Sequence, residues 1–176
     1  MNRTTVGGPE LGAGRGAGGV LVLVDPAGTS GASGTSGTSD DRTGGSPVAE
    51  LLAQELHPSV HLRTDDFLQV IRNGRLSPQA PGADRQQVTA LAAAAQAAFA
   101  YATGGYQVVV ECAEAPATLD TFRRESRTTG AALHYVILTT AAPGAPHELD
   151  TGALTPDTAA KSVLAALTAR THLLGW

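Results

Sequence analysis

The chain alternates between short continuous apolar runs and longer stretches in which apolar residues recur at helical spacing. The first run, residues 20–24, is rich in valine and ends at Asp25-Pro26, which predicts a strand buried on both faces of a parallel sheet. The same criteria predict four more strands, at residues 60–63, 106–111, 133–138 and, as a short one, 148–150.

The stretches between the strands have helical periodicity and recognisable ends. Ser46-Pro47 supplies an N-cap and a first-turn proline for a helix that ends near His57-Pro58, and Thr64-Asp65-Asp66 is predicted to cap a second helix closed by Asn73-Gly74. Further helices are predicted at 84–103, from 119 to Gly130, and at 156–170. This alternation predicts an α/β fold, a three-layer sandwich with a mostly parallel five-stranded sheet.

Two glycine-rich segments interrupt this pattern. Residues 1–19 contain almost no large apolar side chain and are predicted to form a disordered tail, so the α/β domain is expected to span 20–176. Residues 28–45 consist largely of Gly-x-Ser triplets and predict a flexible loop. The G-x-G-x-x-G spacing at 14–19 precedes the first strand, and so lacks the strand-to-helix context of a dinucleotide site.

Composition limits the classes of partner and compartment. A formal net charge of −4 argues against nucleic acid and anionic membranes, so a small molecule or a protein is the expected partner. The single cysteine, Cys112, excludes an intramolecular disulfide and favours a reducing compartment, and no apolar run is long enough to span a membrane. A cytoplasmic protein is therefore expected. Separately, His134 lies inside a predicted strand and is expected to be a core residue.

The turn after the first strand is where an open parallel sheet would bind phosphate. Gly28, Gly45 and Ser46 are the candidates for cofactor binding, and Ser46 could hold magnesium. A working phosphate loop also needs a lysine, yet the only lysine in the chain is Lys161. Arg42 is a possible substitute; the alternative is an expanded surface loop without a ligand.

Several blocks in order resemble P-loop kinases of the chloramphenicol phosphotransferase-like group, from residue 20 to the C-terminus. The blocks are 20–24, 47–52, 61–67, 71–74, 101–110 and 133–138. The resemblance implies ATP and magnesium as cofactors. It also implies a lid helix after the fourth strand, in whose place this chain has only residues 139–146, without its arginines.

The resemblance also suggests site residues. It places Asp65, with Asp66 beside it, where the family has the catalytic base, although both could instead complement the start of a helix. Glu111 stands where relatives have an aspartate, and Arg85 lies near their acceptor pocket, so both are candidates for substrate binding; for Arg85 a solvated helix face is the alternative.

Two hypotheses follow. In the first, the protein is a degenerate P-loop kinase, non-catalytic or strongly impaired, that binds a small molecule or a partner at the carboxyl ends of the strands. In the second, it is an active ATP-dependent phosphotransferase acting on a small-molecule hydroxyl, with Asp65 as the base and Ser46 on magnesium. The missing lysine and lid favour the first.

Overall fold

Five strands form one sheet in the order β2-β3-β1-β4-β5 in a computed structural model that describes residues 18–26, 45–116 and 119–174. All paired strands run parallel, which confirms the predicted α/β class. Their bounds are Gly19–Val24 (β1), Ser59–Arg63 (β2), Gln107–Cys112 (β3), Ala132–Thr139 (β4) and Glu148–Asp150 (β5). Residues 1–17 of the predicted tail and 28–44 of the predicted loop, including Gly28, lie outside the described residues. The predicted end of the tail at residue 19 was wrong, because Gly19 begins β1 and the Gly18 N–H donates to the Ala102 carbonyl.

Helices cover both faces of the sheet. Their bounds are Pro47–Glu55 (α1), Thr64–Gln69 (α2), Ala83–Thr103 (α3), Asp120–Thr129 (α4) and Pro156–Thr168 (α5). Side chains of β1 alternate between the faces: Leu21 and Leu23 pack with α1 and α5, while Val20 and Val22 pack with α3 and α4. Each of the two cores lies between the sheet and one layer of helices, so the domain is a three-layer sandwich.

The parallel register brings polar side chains to one edge of the sheet. Glu111 of β3 is paired with Leu23 on one side and with Arg63 on the other, so the carboxyl ends of β1, β2 and β3 are level with one another. In open α/β sheets this edge is where ligands bind. The connection from β1 to α1 begins there, and α2 follows β2 there directly.

Two local features differ from the sequence-based expectation. Helix α2 ends at Gln69 instead of reaching Asn73-Gly74, and its first turn has no side-chain cap. The Thr64 hydroxyl donates to the backbone carbonyl of Glu111 at 3.2 Å, so it ties α2 to β3 instead of capping the helix. The predicted cap was therefore wrong because a tertiary contact competes for the hydroxyl.

The remaining expectations concern the second half of the chain. His134 is buried in β4, as predicted. The connection from Thr139 to Glu148 contains no helix, in agreement with the short segment seen in the sequence. None of the described helices combines the length and the apolar character that crossing a membrane requires.

Candidate functional site

Ser46 lies in the α1 turn, the segment 45–49 at the start of α1. It is the N-cap of α1, and its Oγ accepts a hydrogen bond from the Ala49 N–H at 3.2 Å. The same hydroxyl donates to a carboxylate oxygen of Asp25, the residue that follows β1. Both Ser46 and Asp25 are buried, so this contact connects the end of β1 directly to the start of α1.

Glu111 closes the other side of this turn. Its Oε1 accepts the backbone N–H of Ser46 at 2.9 Å, and its Oε2 lies 2.9 Å from His61 Nε2. Arg63 Nε approaches Oε1 at 3.9 Å. With a relative exposure of only 5%, the carboxylate is enclosed by groups from β2 and from the α1 N-cap.

These contacts set the protonation of Glu111. Burial by itself would raise the pKa of the carboxyl, but the hydrogen bonds from His61 and the Ser46 N–H, with the charges of His61 and Arg63, lower the pKa below its ordinary value. Glu111 is therefore an anion at neutral pH. Its own negative charge already satisfies the hydrogen-bond donors of the site, the Ser46 N–H and His61.

The start of α1 retains little capacity to bind a phosphate group. Pro47 has no N–H, the Ala49 N–H is bound by the Ser46 hydroxyl, and the Ser46 N–H is bound by Glu111. Among residues 46–49, only the N–H of Val48 is not used in these ways. The only lysine is on α5, where its Nζ donates to Asp157 at 2.7 Å.

A cavity of about 260 Å³ opens between α2, α3 and the segment after β3, and it is not lined by residues 45–49. Its apolar wall includes Leu68 of α2 and Leu91 of α3. Its carboxylates come from three separate parts of the chain: Asp65 on α2, Asp84 on α3 and Glu114 after β3. No arginine, lysine or histidine of the described structure lines it.

Cys112 also lines the cavity and is almost fully buried. Burial raises the pKa of its thiol to about 12, against a lowering effect of a hydrogen bond with Thr64, and the nearby Asp65 and Glu111 carboxylates raise the pKa further. The thiol is therefore neutral at physiological pH and is a poor nucleophile. It contributes a small polarisable surface to the cavity wall.

The structure separates the candidate residues into three groups. Ser46, Gly45 and Glu111 lie together at the α1 turn, and Asp65 lines the neighbouring cavity. Asp66 and Arg85 are exposed and do not line the cavity. Gly28 lies outside the described residues.

Other lining residues were not predicted. Asp84, Gln87 and Glu114 belong to the cavity wall. Glu114 could have been predicted, because it follows a predicted strand by only a few residues. Asp84 could not, because an acidic residue in the first turn of a helix is common without any ligand site. No cluster of three or more possible metal ligands occurs among residues 18–26, 45–116 and 119–174.

No family model matches the sequence, and no curated protein matches it closely enough to count. Solved structures do match. The hexameric APS kinase from Thiobacillus denitrificans aligns with a TM-score of 0.53 at 18% identity, over 91% of this chain but only 31% of that one. The chain thus spans about a third of that kinase.

Two smaller proteins match over nearly their whole length. A candidate kinase from Chloroflexus aurantiacus aligns with a TM-score of 0.57 at 12% identity, covering 89% of this chain and 99% of that one. The tunicamycin resistance protein of Deinococcus radiodurans aligns with a TM-score of 0.50 at 13% identity, covering 90% and 99%. At these identities the likeness concerns the fold, and it leaves ATP and magnesium as the cofactors to test. The chain has the fold of the P-loop kinases.

Proposed function

We propose that this protein is a non-catalytic descendant of the P-loop kinases that binds a small organic cation in the cavity between α2 and α3. The hydrogen bond from the Ser46 N–H to Glu111, at 2.9 Å, carries the non-catalytic part of the proposal. It places a buried carboxylate of the protein on a backbone donor that the nucleotide phosphates would require.

The residues present fit ATP and magnesium poorly. A phosphate group brought to the α1 turn would meet the carboxylates of Asp25 and Glu111, and no lysine is available to offset them. Displacing Glu111 would break its hydrogen bond to the Ser46 N–H and leave the buried carboxylate without that donor. Ser46, the candidate magnesium ligand, uses its hydroxyl on Asp25 and Ala49.

The cavity supports the ligand-binding part of the proposal. At about 260 Å³ it is slightly below the usual range of ligand pockets, about 300–1,000 Å³, which suits a small compound. Leu68, Val88 and Leu91 offer apolar contact to the body of a ligand. The three carboxylates have no basic partner in the described cavity wall, so a protonated amine would supply the missing charge.

The geometry also suits a ligand with one charged end. Asp65 and Asp84 stand at the first turns of α2 and α3, while Glu114 approaches from the segment after β3. An ammonium group has three donors and could contact carboxylates from more than one of these elements. Its apolar part would then lie along the leucine side chains of α2 and α3.

Isothermal titration calorimetry with a matched pair of probes tests this proposal. Phenethylamine and 2-phenylethanol have nearly the same size and differ in charge, so the amine is expected to bind and the alcohol to bind at least about tenfold more weakly. The difference should shrink as salt is added, because Asp65, Asp84 and Glu114 are all exposed to solvent. Equal affinity for the two probes, or no binding of the amine at millimolar concentration, would contradict the cation assignment.

A further inference from the structure

The C-terminal segment, residues 172–174, pairs with the outer edge of β4. The Tyr135 N–H donates to the His172 carbonyl at 3.0 Å, and the Leu174 N–H donates to the Leu133 carbonyl at 2.9 Å. His134 and Leu173 form an antiparallel bridge between them. The segment thus covers the part of this edge that precedes the residues paired with β5.

Two histidine rings lie against this junction. His172 belongs to the segment itself, and His147 precedes β5; their ring centroids are 5.9 Å apart. His147 also contacts the ring of Tyr135, at 5.7 Å between centroids. The Nδ1 atoms of His147 and His172 are both buried without a hydrogen-bond partner. A buried ring nitrogen without an acceptor is tolerated in a neutral ring and penalised once it carries a proton and a charge.

The charges around the two rings oppose protonation. Burial is the main cause that lowers the pKa of each ring; the charge of Arg123 on α4 adds to it for His147, and the charge of His147 adds to it for His172. Glu148, the nearest acid along the chain, is bound to the N–H groups of Gly144 and Ala145 instead. Tyr135 contributes a neutral ring from β4.

We propose that His147 and His172 form a pH-sensitive latch, which holds residues 172–174 against β4 while both rings are neutral and releases the segment when they are protonated. Protonation would put two adjacent positive charges, with Arg123 nearby, into a place that offers their Nδ1–H groups no acceptor. Among the described residues, two backbone hydrogen bonds and the packing of Leu174 hold the segment, so its release leaves the ladders among β1, β2 and β3 intact.

The direction of the pH dependence follows from the lowered pKa values. Each ring has a lower pKa in the docked state than in a released, solvated one, where the ordinary value is about 6.5. Docking is therefore fully stabilised above pH 6.5 and weakens as the pH falls through the docked-state values. Each unit by which a ring pKa is lowered changes the docking equilibrium by about tenfold.

Hydrogen exchange of the full chain between pH 7.5 and 5 tests the latch. After correction for the chemical exchange rate, protection of the Tyr135 and Leu174 amides is expected to fall as the pH is lowered, while protection of the β1 amides stays constant. In the His147→Gln/His172→Gln double variant this pH dependence should disappear. His57→Gln, at an exposed histidine, is the matched control and should keep it.

Three outcomes would overturn the latch: constant protection at the two amides in the wild type, an undiminished pH dependence in the double variant, or a parallel loss of protection in β1. NMR titration of the ring protons of wild-type protein covers the case in which the double variant fails to fold. Titration of either ring at or above pH 6.5 would also overturn the proposal.

Discussion

The Glu111 carboxylate accepts the backbone N–H of Ser46, 65 positions earlier in the chain, at a distance of 2.9 Å. This bond joins the carboxyl end of β3 to the N-cap of α1, at the edge where an open α/β sheet would bind phosphate. The protein has thus placed its own anion on one of the donors that a phosphate would use.

Replacing Glu111 with glutamine keeps an acceptor for the Ser46 N–H and removes the charge that His61 and Arg63 face. We expect Glu111→Gln to lower the free energy of unfolding at pH 7 by about 2 kcal/mol, the scale of hydrogen bonds to charged groups. Urea denaturation measures it. Glu114→Gln, at an exposed carboxylate, should change stability by less than about 0.5 kcal/mol.

Glu111 should also make the stability of the protein depend on pH in the acid range. Since the folded-state pKa of Glu111 is lowered, its stabilisation is complete above the ordinary value of 4.5 and is lost as the pH falls through the folded-state pKa. Urea midpoints between pH 6 and pH 3 should therefore fall less steeply for Glu111→Gln than for the wild type. Parallel curves for the two proteins would show that Glu111 does not carry this dependence.

Ser46→Ala tests the second contact at the α1 turn. The variant loses the cap on the Ala49 N–H and the hydrogen bond to Asp25, both in a buried setting, so a loss of about 2 kcal/mol is expected. Thr155→Ala removes the matched N-cap of α5, where the threonine is exposed, and should cost about 1 kcal/mol or less. Equal costs would mean that the contact with Asp25 adds nothing.

Single charge removals should identify the ligand site. Asp65→Asn is expected to weaken phenethylamine binding by about tenfold, because Asp65 lines the cavity and a charged hydrogen bond is lost. Asp66→Asn changes a neighbouring exposed carboxylate that does not line the cavity, and its affinity should stay within about twofold of the wild type. Calorimetry with both variants distinguishes a local contact from a general effect of net charge; a similar loss in both would contradict the assignment of Asp65.

Gly18 gives a test of packing at the start of β1. A Cβ added there would lie 1.8 Å from the backbone carbonyl oxygen of Tyr106, and the Gly18 N–H donates to the Ala102 carbonyl at 3.0 Å. Gly18→Ala should therefore force the backbone apart and destabilise the protein by about 3 kcal/mol. Gly144→Ala has open space around the new Cβ and should be within about 0.5 kcal/mol of the wild type. Thermal unfolding of the two variants compares them, and similar stabilities would contradict the close approach.

The fold could be predicted from local pattern because the three central strands, β1, β3 and β4, are largely apolar runs. The run at 20–24 is the buried core of β1, and Pro156 starts α5 as the sequence indicated. The ends of elements were less accurate: β3 continues through Cys112, and α2 stops at Gln69, since tertiary contacts decide these boundaries.

The candidate site could be predicted only in part. Glu111 and Asp65 were suggested by the resemblance to the kinase group, and their positions agree with the rule that ligands bind at the carboxyl ends of the strands. The partners of Glu111 could not be found in this way, because His61 and Ser46 are 50 and 65 positions away and the sequence contains no signal for their pairing. Asp84 was missed because a first-turn acid is common whether or not a cavity lies beside it.

The most direct test is calorimetric titration of the purified protein with ATP, with and without magnesium, at pH 7.5. We predict no detectable binding up to millimolar ATP, and the same result for Asp65→Asn. Magnesium-dependent binding at micromolar affinity would contradict it, since the nucleotide would then have displaced Glu111 from the Ser46 N–H, and the active phosphotransferase would become the better hypothesis.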